Sequence, residues 1–198
     1  MLNMKKGCRC VLSEKLEEAY MIKGNVITAN IDINHIRSVM QHFIVIHDEP
    51  LFFILEVPAD AESEKEIKPC VTEKLHKDVY YIDGCSKEQA LAIMVRVGDI
   101  LFHDGISSFG YGGHKSGDEI MFGKYNVLTI FSQNTDSYFK FFEVHKIKRV
   151  SKLITAWDTF TREMPGVSER IVIDGKDIFS IPELFKDWGL YLAEQREE

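Results

Sequence analysis

A chain of 198 residues with 45% hydrophobic and 28% charged side chains can bury a core of its own without a disulfide or metal staple. Its 13 Phe, 7 Tyr and 2 Trp argue against disorder, and a net charge of -7 argues against nucleic acid as a default partner, since phosphate binding needs a basic face. The longest apolar run, 90–95, is too short to cross a bilayer, and no apolar stretch follows the basic residues Lys5 and Lys6, so a cytoplasmic protein without a membrane partner is expected.

Ser13 can cap a short helix carrying Leu16, Ala19 and Tyr20, with Gly24 as its stop. Residues 25–31 alternate as a strand does, and Asn34 can cap a second helix through Ile36, Met40 and Phe43 that ends before Pro50. Residues 51–57 are an apolar run suited to an inner strand. The mostly acidic stretch 59–68, closed by Pro69, is expected as a surface loop. Too few elements precede it to bury a separate core, so residues 1–198 are expected to form one domain. A strand over 78–83 then leads into the next helix.

Ser86 and Gln89 make a capping box, in which hydroxyl and amide each satisfy a backbone N–H. The helix they open carries Leu91, Met94, Val95, Leu101 and Phe102 on one side and Ala90, Ile93, Val97 and Ile100 on the other, which predicts a core helix. It is expected to stop at Gly105 in the left-handed conformation, before a glycine-rich segment, 105–113, that bends the main chain, and a β-rich run, 118–131. Residues 134–137 open a helix with Tyr138, Phe141, Phe142 and His145 in a row. A strand over 153–160 and a turn at Pro165-Gly166 follow. Asp174-Gly175 favours a hairpin between 170–173 and 177–181, and a capping box at Ser180 and Glu183 opens a last helix with Leu184, Phe185, Trp188, Tyr191 and Leu192. These elements predict an α+β fold, a mainly antiparallel or mixed sheet with helices packed on it.

Cys8, Cys10, Cys70 and Cys85 form one C-x-C pair and two singles, which is neither a zinc knuckle nor a disulfide framework, so reduced thiols and no metal are expected. The glycine-rich segment fails the phosphate-binding patterns: His114 stands where a Walker A loop needs its second glycine, and Lys115 where the dinucleotide pattern needs its third. Gly105-Ile-Ser107-Ser-Phe109 lacks the last glycine of a nucleophile elbow. A strand or turn that needs glycine for close backbone approach is the better explanation, and no cofactor is expected. His103, Asp104, His114, Asp118 and Glu119 are the densest set of groups able to do acid–base work or hold a metal, in a spacing that matches no metalloprotease pattern; Asp32, His35 and His47 with Asp48 and Glu49 are weaker candidates. Between 140 and 152, Lys140, Lys146, Lys148, Arg149 and Lys152 stand against Glu143 alone, interleaved with Phe139, Phe141 and Phe142, whose helical spacing suits a core.

Three stretches carry a family resemblance: Ser107-Ser-Phe-Gly-Tyr-Gly-Gly113 with Asp118-Glu-Ile120 and Lys124-Tyr-Asn-Val127; Ile154-Thr-Ala-Trp-Asp-Thr-Phe160 before Pro165-Gly166; and Trp188-Gly-Leu-Tyr191. Together they resemble the immunity proteins of polymorphic toxin systems, small cytoplasmic bacterial proteins that neutralise toxins. The resemblance implies a non-enzymatic protein-binding module that occludes a toxin domain, and it brings no binding residues with it. An acidic chain suits a basic toxin domain, so Asp104, Tyr111, Asp118 and Glu119 are the expected partner contacts. The alternatives are a small metal-dependent or His/Asp hydrolase centred on 103–119, and a regulatory or nucleic-acid-binding module using 140–152.

Overall fold

The structure, a computed structural model, describes residues 2–59, 66–68, 71–72 and 76–197. Cys8–Arg9 forms β1, a two-residue strand paired with β12, Val167–Ser168. Lys23 and Val26 are then joined by Gly24-Asn25, with Gly24 at φ +60°, the left-handed backbone a two-residue hairpin turn needs. The segment before that turn is therefore strand β2, Ala19–Lys23, paired with β3, Val26–Asn30. The helix expected from Ser13 shrinks to one 3-10 turn, Ser13–Lys15, because the hairpin takes Ala19 and Tyr20.

Helix α1, Ile33–Ile46, is capped by Asp32, whose carboxylate accepts from the Asn34 N–H at 2.9 Å, so the cap lies two residues before the one expected. Its face of Ile36, Val39, Met40, Phe43 and Ile44 is fully buried. Strand β4, Leu51–Pro58, follows, and Glu66–Lys68 (β5) pairs with Val71–Thr72 (β6). The rest of the acidic loop expected over 59–68, and Cys70, lie outside the described residues, except that Ala59 is buried.

Strand β7, His76–Cys85, leads to α2, Lys87–His103, which opens with the reciprocal Ser86–Gln89 capping box. Val95 departs from the expected apolar row, being 80% exposed, while Ala90, Ile93, Met94, Val97, Ile100, Leu101 and Phe102 are buried. The helix ends at Asp104 in an extended conformation (φ -64°), without a left-handed glycine. Gly105 is needed for proximity instead: a Cβ there would lie 1.9 Å from the Gly7 carbonyl oxygen. Main-chain bonds from Gly7 N to the His103 carbonyl (2.8 Å), from Gly105 N to the Glu169 carbonyl (3.0 Å) and from Glu169 N to the Gly7 carbonyl (2.7 Å) stitch the three segments together.

The glycine-rich segment forms strand β8, Ser108–Gly113, and the following run forms β9, Glu119–Phe122, and β10, Val127–Phe131. After α3, Phe139–Val144, the chain adds β11, Lys148–Arg149. The strand expected over 153–160 is instead a 3-10 turn, Ala156–Thr159, closed by bonds from the Thr155 N–H and hydroxyl to the Asp158 carboxylate at 2.8 and 2.9 Å. Asp174 and Gly175 do form a tight turn, with φ of 50° and 73°, but only Ile173 and Lys176 bridge beside it. The expected last helix is a single turn, α4, Ile181–Leu184, without a Ser180 cap bond. Left-handed Gly189 releases the chain into β13, Tyr191–Glu197, paired with β7.

The fold is α+β. A nine-stranded sheet runs in the order β11-β2-β3-β10-β9-β8-β4-β7-β13, antiparallel throughout except for the parallel β11–β2 pair. Helices α1 and α2 pack on each other and on one face of the sheet, where Ile27, Leu128, Ile120, Phe109, Tyr111, Phe53 and Leu55 meet their apolar sides. Each fully buried Leu, Ile or Phe there contributes about 1.5–3 kcal/mol of transfer free energy. A smaller cluster of Leu2, Cys8, Leu16, Tyr125 and Ala156 lies under the N-terminal segment. Among the described residues no helix is long and apolar enough to cross a membrane.

Candidate functional site

Alternation along β8 sends Phe109 and Tyr111 into the core and leaves Ser108, Gly110 and Gly112 on the other face. A Cβ on Gly112 would fall 2.0 Å from the Phe52 ring, and one on Gly110 would fall 1.9 Å from the Ile120 carbonyl oxygen and 2.5 Å from Met121 Sδ. These glycines let side chains from β4 and β9 lie flat across the middle of the sheet. The register sets Phe131 opposite Glu119, Glu119 opposite Gly112, and Gly112 opposite Phe52. A second row runs through Thr129, Met121, Gly110, Ile54, Tyr81 and Tyr191.

His103 and His114 do not converge with the carboxylates singled out beside them, although His47, one of the weaker candidates, meets Asp118. His103 ends α2, where Lys6 N approaches its Nδ1 at 3.4 Å, and burial together with the Lys6 charge pulls its pKa below the usual histidine value. His114 follows the far end of β8 and faces Asp83 at 3.6 Å, so the length of a strand of about 20 Å separates the two imidazoles. Among the described residues no group of three or more His, Cys, Asp and Glu side chains is placed to hold a metal. Of the weaker candidates, Asp32 caps α1 and also accepts from Asn3, His35 pairs with Glu18 at 2.9 Å, and Glu49 accepts from Lys87 N.

Three of the four expected partner contacts are interior. Asp104 is fully buried, its Oδ1 accepting from the N–H groups of Ile106 and Ser107 and from the Ser107 hydroxyl at 2.8–3.0 Å, and its Oδ2 from Ile171 N. Tyr111 is also fully buried and donates its hydroxyl to the Ala90 carbonyl at 3.1 Å, tying β8 to α2. Asp118 is 6% exposed and sits in a polar knot. These three are withdrawn from the surface because their polar atoms are used inside the fold. Glu119 alone reaches the outer face, half-buried, and burial lifts its carboxyl above the ordinary glutamate range against the pull of Arg196.

The knot around Asp118 contains the residue types of a hydrolase triad in the wrong order. Asp118 Oδ2 lies 3.1 Å from His47 Nε2 and accepts from the Ser132 hydroxyl at 2.5 Å, while Oδ1 accepts from Gln133 N at 3.1 Å. A nucleophilic serine would give its proton to histidine, whereas Ser132 gives its proton to the carboxylate and accepts from Asn134 N at 3.0 Å. His47 Nδ1 lies 2.8 Å from the Phe43 carbonyl, which can only accept, so that nitrogen carries a hydrogen. Burial raises the Asp118 pKa, and the bonds from Ser132, His47 and Gln133 outweigh it, leaving the carboxyl below its usual range. Ser132 is fully buried, so the arrangement braces the end of α1 against β9 and β10. Nothing in the spacing of His47, Asp118 and Ser132 signalled it.

The accessible chemistry lies on the sheet face opposite α1 and α2. Glu56 holds Arg196 at 3.3 Å and Lys77 at 3.8 Å. Tyr191 donates to Asp83 at 2.5 Å, and Phe52 packs against Tyr81 and His114 with ring centroids 5.7 and 5.2 Å apart. Phe131 and Tyr191 are 40% and 47% exposed. A cleft of about 320 Å³ opens on this face between Glu56, Ser108, Met121, Lys124 and Thr129, walled by Trp157, which stands edge-on to Tyr125 at 4.9 Å. The basic residues of 140–152 lie elsewhere, at the β11 edge of the sheet. Phe141 and Phe142 belong to the core, and Phe139 is half-buried beneath Arg149 at 5.9 Å.

No protein-family model matches the chain, no curated protein matches it, and no solved structure matches it.

Proposed function

We propose that this chain is a non-enzymatic protein-binding module, and within that class a bacterial immunity protein that neutralises a toxin domain by occluding it. The observation that supports the reading is the division of labour across the sheet. Asp104, Asp118, Ser132 and His47 have their polar atoms bonded inside the fold, while the outer face offers Phe131, opposite Glu119, and further off Tyr191 and Trp157 to solvent. Exposed aromatic anchors flanked by charge are the composition that carries protein interfaces. Glu119 and Asp83 give this face acidic groups to set against a basic toxin surface, and the resemblance of 107–113, 154–160 and 188–191 to immunity proteins tilts the reading the same way. The reading implies a cytoplasmic protein that acts by surface fit.

The test is capture of the product of a neighbouring toxin gene by the purified chain, with Phe131→Asp and Glu119→Lys alongside. Capture by the parent chain that falls at least tenfold in both variants supports the proposal. Failure to capture a verified toxin removes it.

A further inference from the structure

The charge of this molecule is unevenly spread. On the outer sheet face and around the loops several cations are neutralised: Arg196 and Lys77 by Glu56, Arg9 by Glu169 at 2.5 Å, Arg170 by Asp177 at 3.0 Å and Arg37 by Asp99 at 3.9 Å. At the opposite edge they are not. Lys140, Lys146, Lys148, Arg149 and Lys152 are all exposed, and none forms an ion pair with a described residue.

The fold gathers these residues although the chain spreads them over thirteen positions. Strand β11 runs parallel to β2, Lys148 opposite Ala19 and Arg149 opposite Tyr20, and the Val150 N–H donates to the Tyr20 carbonyl at 2.8 Å. That pairing makes Lys148 and Arg149 the outermost residues of the nine-stranded sheet. Just beyond, Lys152 and Lys15 line a cleft of about 300 Å³ floored by Ala19, Val150 and Leu153. Its walls are held together by Asn30, whose amide donates to the Glu17 carbonyl at 3.1 Å and to the Ile154 carbonyl at 2.8 Å. Arg149 is steadied over the Phe139 ring. The acids nearby are outnumbered or engaged: Glu17 lines the same cleft and is exposed, as are Glu14 and Glu143, Glu18 is engaged with His35, and Asp158, which feels the Lys152 charge, is bonded to Thr155.

We infer that this edge, centred on Lys148, Arg149, Lys152 and Lys15, is a docking surface for an acidic segment of a protein partner. Concentrated positive charge that forms no close ion pair recruits carboxylates, and it acts over a Debye length of about 8 Å at physiological salt. Two observations favour a short acidic segment over a nucleic acid. The aromatic rings of this stretch are in the core or under Arg149, so bases have no platform to stack on. The patch is also a small basic island on a chain of net charge -7, so a long phosphate backbone running past it meets like charge. The inference rests on the protein-binding reading above but uses a different surface from the outer sheet face.

The experiment compares binding of a fluorescent ten-residue oligoglutamate and a ten-nucleotide single strand to the parent chain, to the double variant K148E/R149E, and to Lys186→Glu, whose cation already pairs with Glu183. The expected result is oligoglutamate binding at low salt that weakens at least tenfold in the double variant and less than twofold in Lys186→Glu, with the nucleotide strand bound more weakly. All three proteins are checked by thermal melting; should K148E/R149E fail to fold, Lys152→Glu with Lys15→Glu takes its place. Absence of oligoglutamate binding, equal binding by the folded variants, or preference for the nucleotide strand overturns the inference. Loss of toxin capture by Phe131→Asp with oligoglutamate binding intact separates a failure of this surface from a failure of the outer-face reading.

Discussion

The two faces of the central sheet are made by the same strands and do opposite work. On the inner face β8 contributes Phe109 and Tyr111, both at most 1% exposed, and the Tyr111 hydroxyl that reaches inward is bonded to the Ala90 carbonyl. On the outer face the same strand contributes Ser108, Gly110 and Gly112 and lets Phe52 and Met121 lie across it. Residues that look alike in sequence therefore differ in purpose. Asp118 and Glu119 are adjacent acids, yet Asp118 is committed to Ser132 and His47 while Glu119 faces outward beside Arg196. On the proposed reading, the difference places stability on one face and recognition on the other.

The sharpest way to break that division is to strike the inner face where it has least room. Phe109→Ala is expected to destabilise the fold by about 3–5 kcal/mol, since the ring packs between Phe102 and Phe122 and the cavity cannot be filled by solvent. Urea unfolding checks this, and a loss under 1 kcal/mol would mean that the inner face is not the seat of stability. Next in size, Asp118→Ala is expected to cost about 3 kcal/mol, because it strands His47 and Ser132 with buried polar atoms facing no partner. The double variant with Ser132→Ala is expected to cost less than the sum of the two single changes, which a double-mutant cycle measures.

How much of this was legible in the sequence follows the same division. The Ser86 capping box, the apolar stripes of α1 and α2 and the inner strands β3 and β4 were readable, because helical and strand periodicity report burial directly. So was the need of the 105–113 segment for glycine in close backbone approach, in a strand that covers 108–113. The errors fell where a few residues could go either way. Residues 16–20 and 188–192 have apolar spacing compatible with a helix, and long-range pairing to β3 and β7 made strands of 19–20 and 191–192. The local turn at Asp174-Gly175 was right and its strands were not, because nothing pairs with them beyond Ile173 and Lys176. For the site, a single sequence says that Asp104, Asp118 and Tyr111 are polar or aromatic near glycine, but only the fold says which way they point.

Titration offers a smaller and graded test. Burial, with the charges of His47 and His145, holds the His42 pKa below the usual histidine value despite the Ser137 carbonyl, and burial with Lys6 does the same for His103. The folded state then binds fewer protons than the unfolded state near pH 6.5, so stability present above that pH is lost as pH falls through it. The low Asp118 pKa adds a second loss of the same sign, beginning below its unfolded value near pH 4, while the raised Glu119 pKa offsets part of it. Urea midpoints at pH 7.5, 5.5 and 3 are expected to fall stepwise, and His42→Gln is expected to shrink the first step and leave the second. A first step unchanged in that variant would move the effect to other groups.

The smallest stability effect belongs to the outer face. Phe131 is 40% exposed and lies opposite Val26 and Glu119, so Phe131→Asp removes partly solvated surface and creates no cavity. Its expected cost is within about 0.5 kcal/mol, as for surface substitutions generally, while toxin capture is expected to fall at least tenfold. The two readouts oppose each other by design: the inner-face variants lose capture only by unfolding, whereas this one loses it while folded. A Phe131→Asp protein that melts several degrees early would show that the outer face also supports the sheet, and the division between the faces would have to be redrawn around Met121 and Phe52, whose side chains cover the glycines of β8.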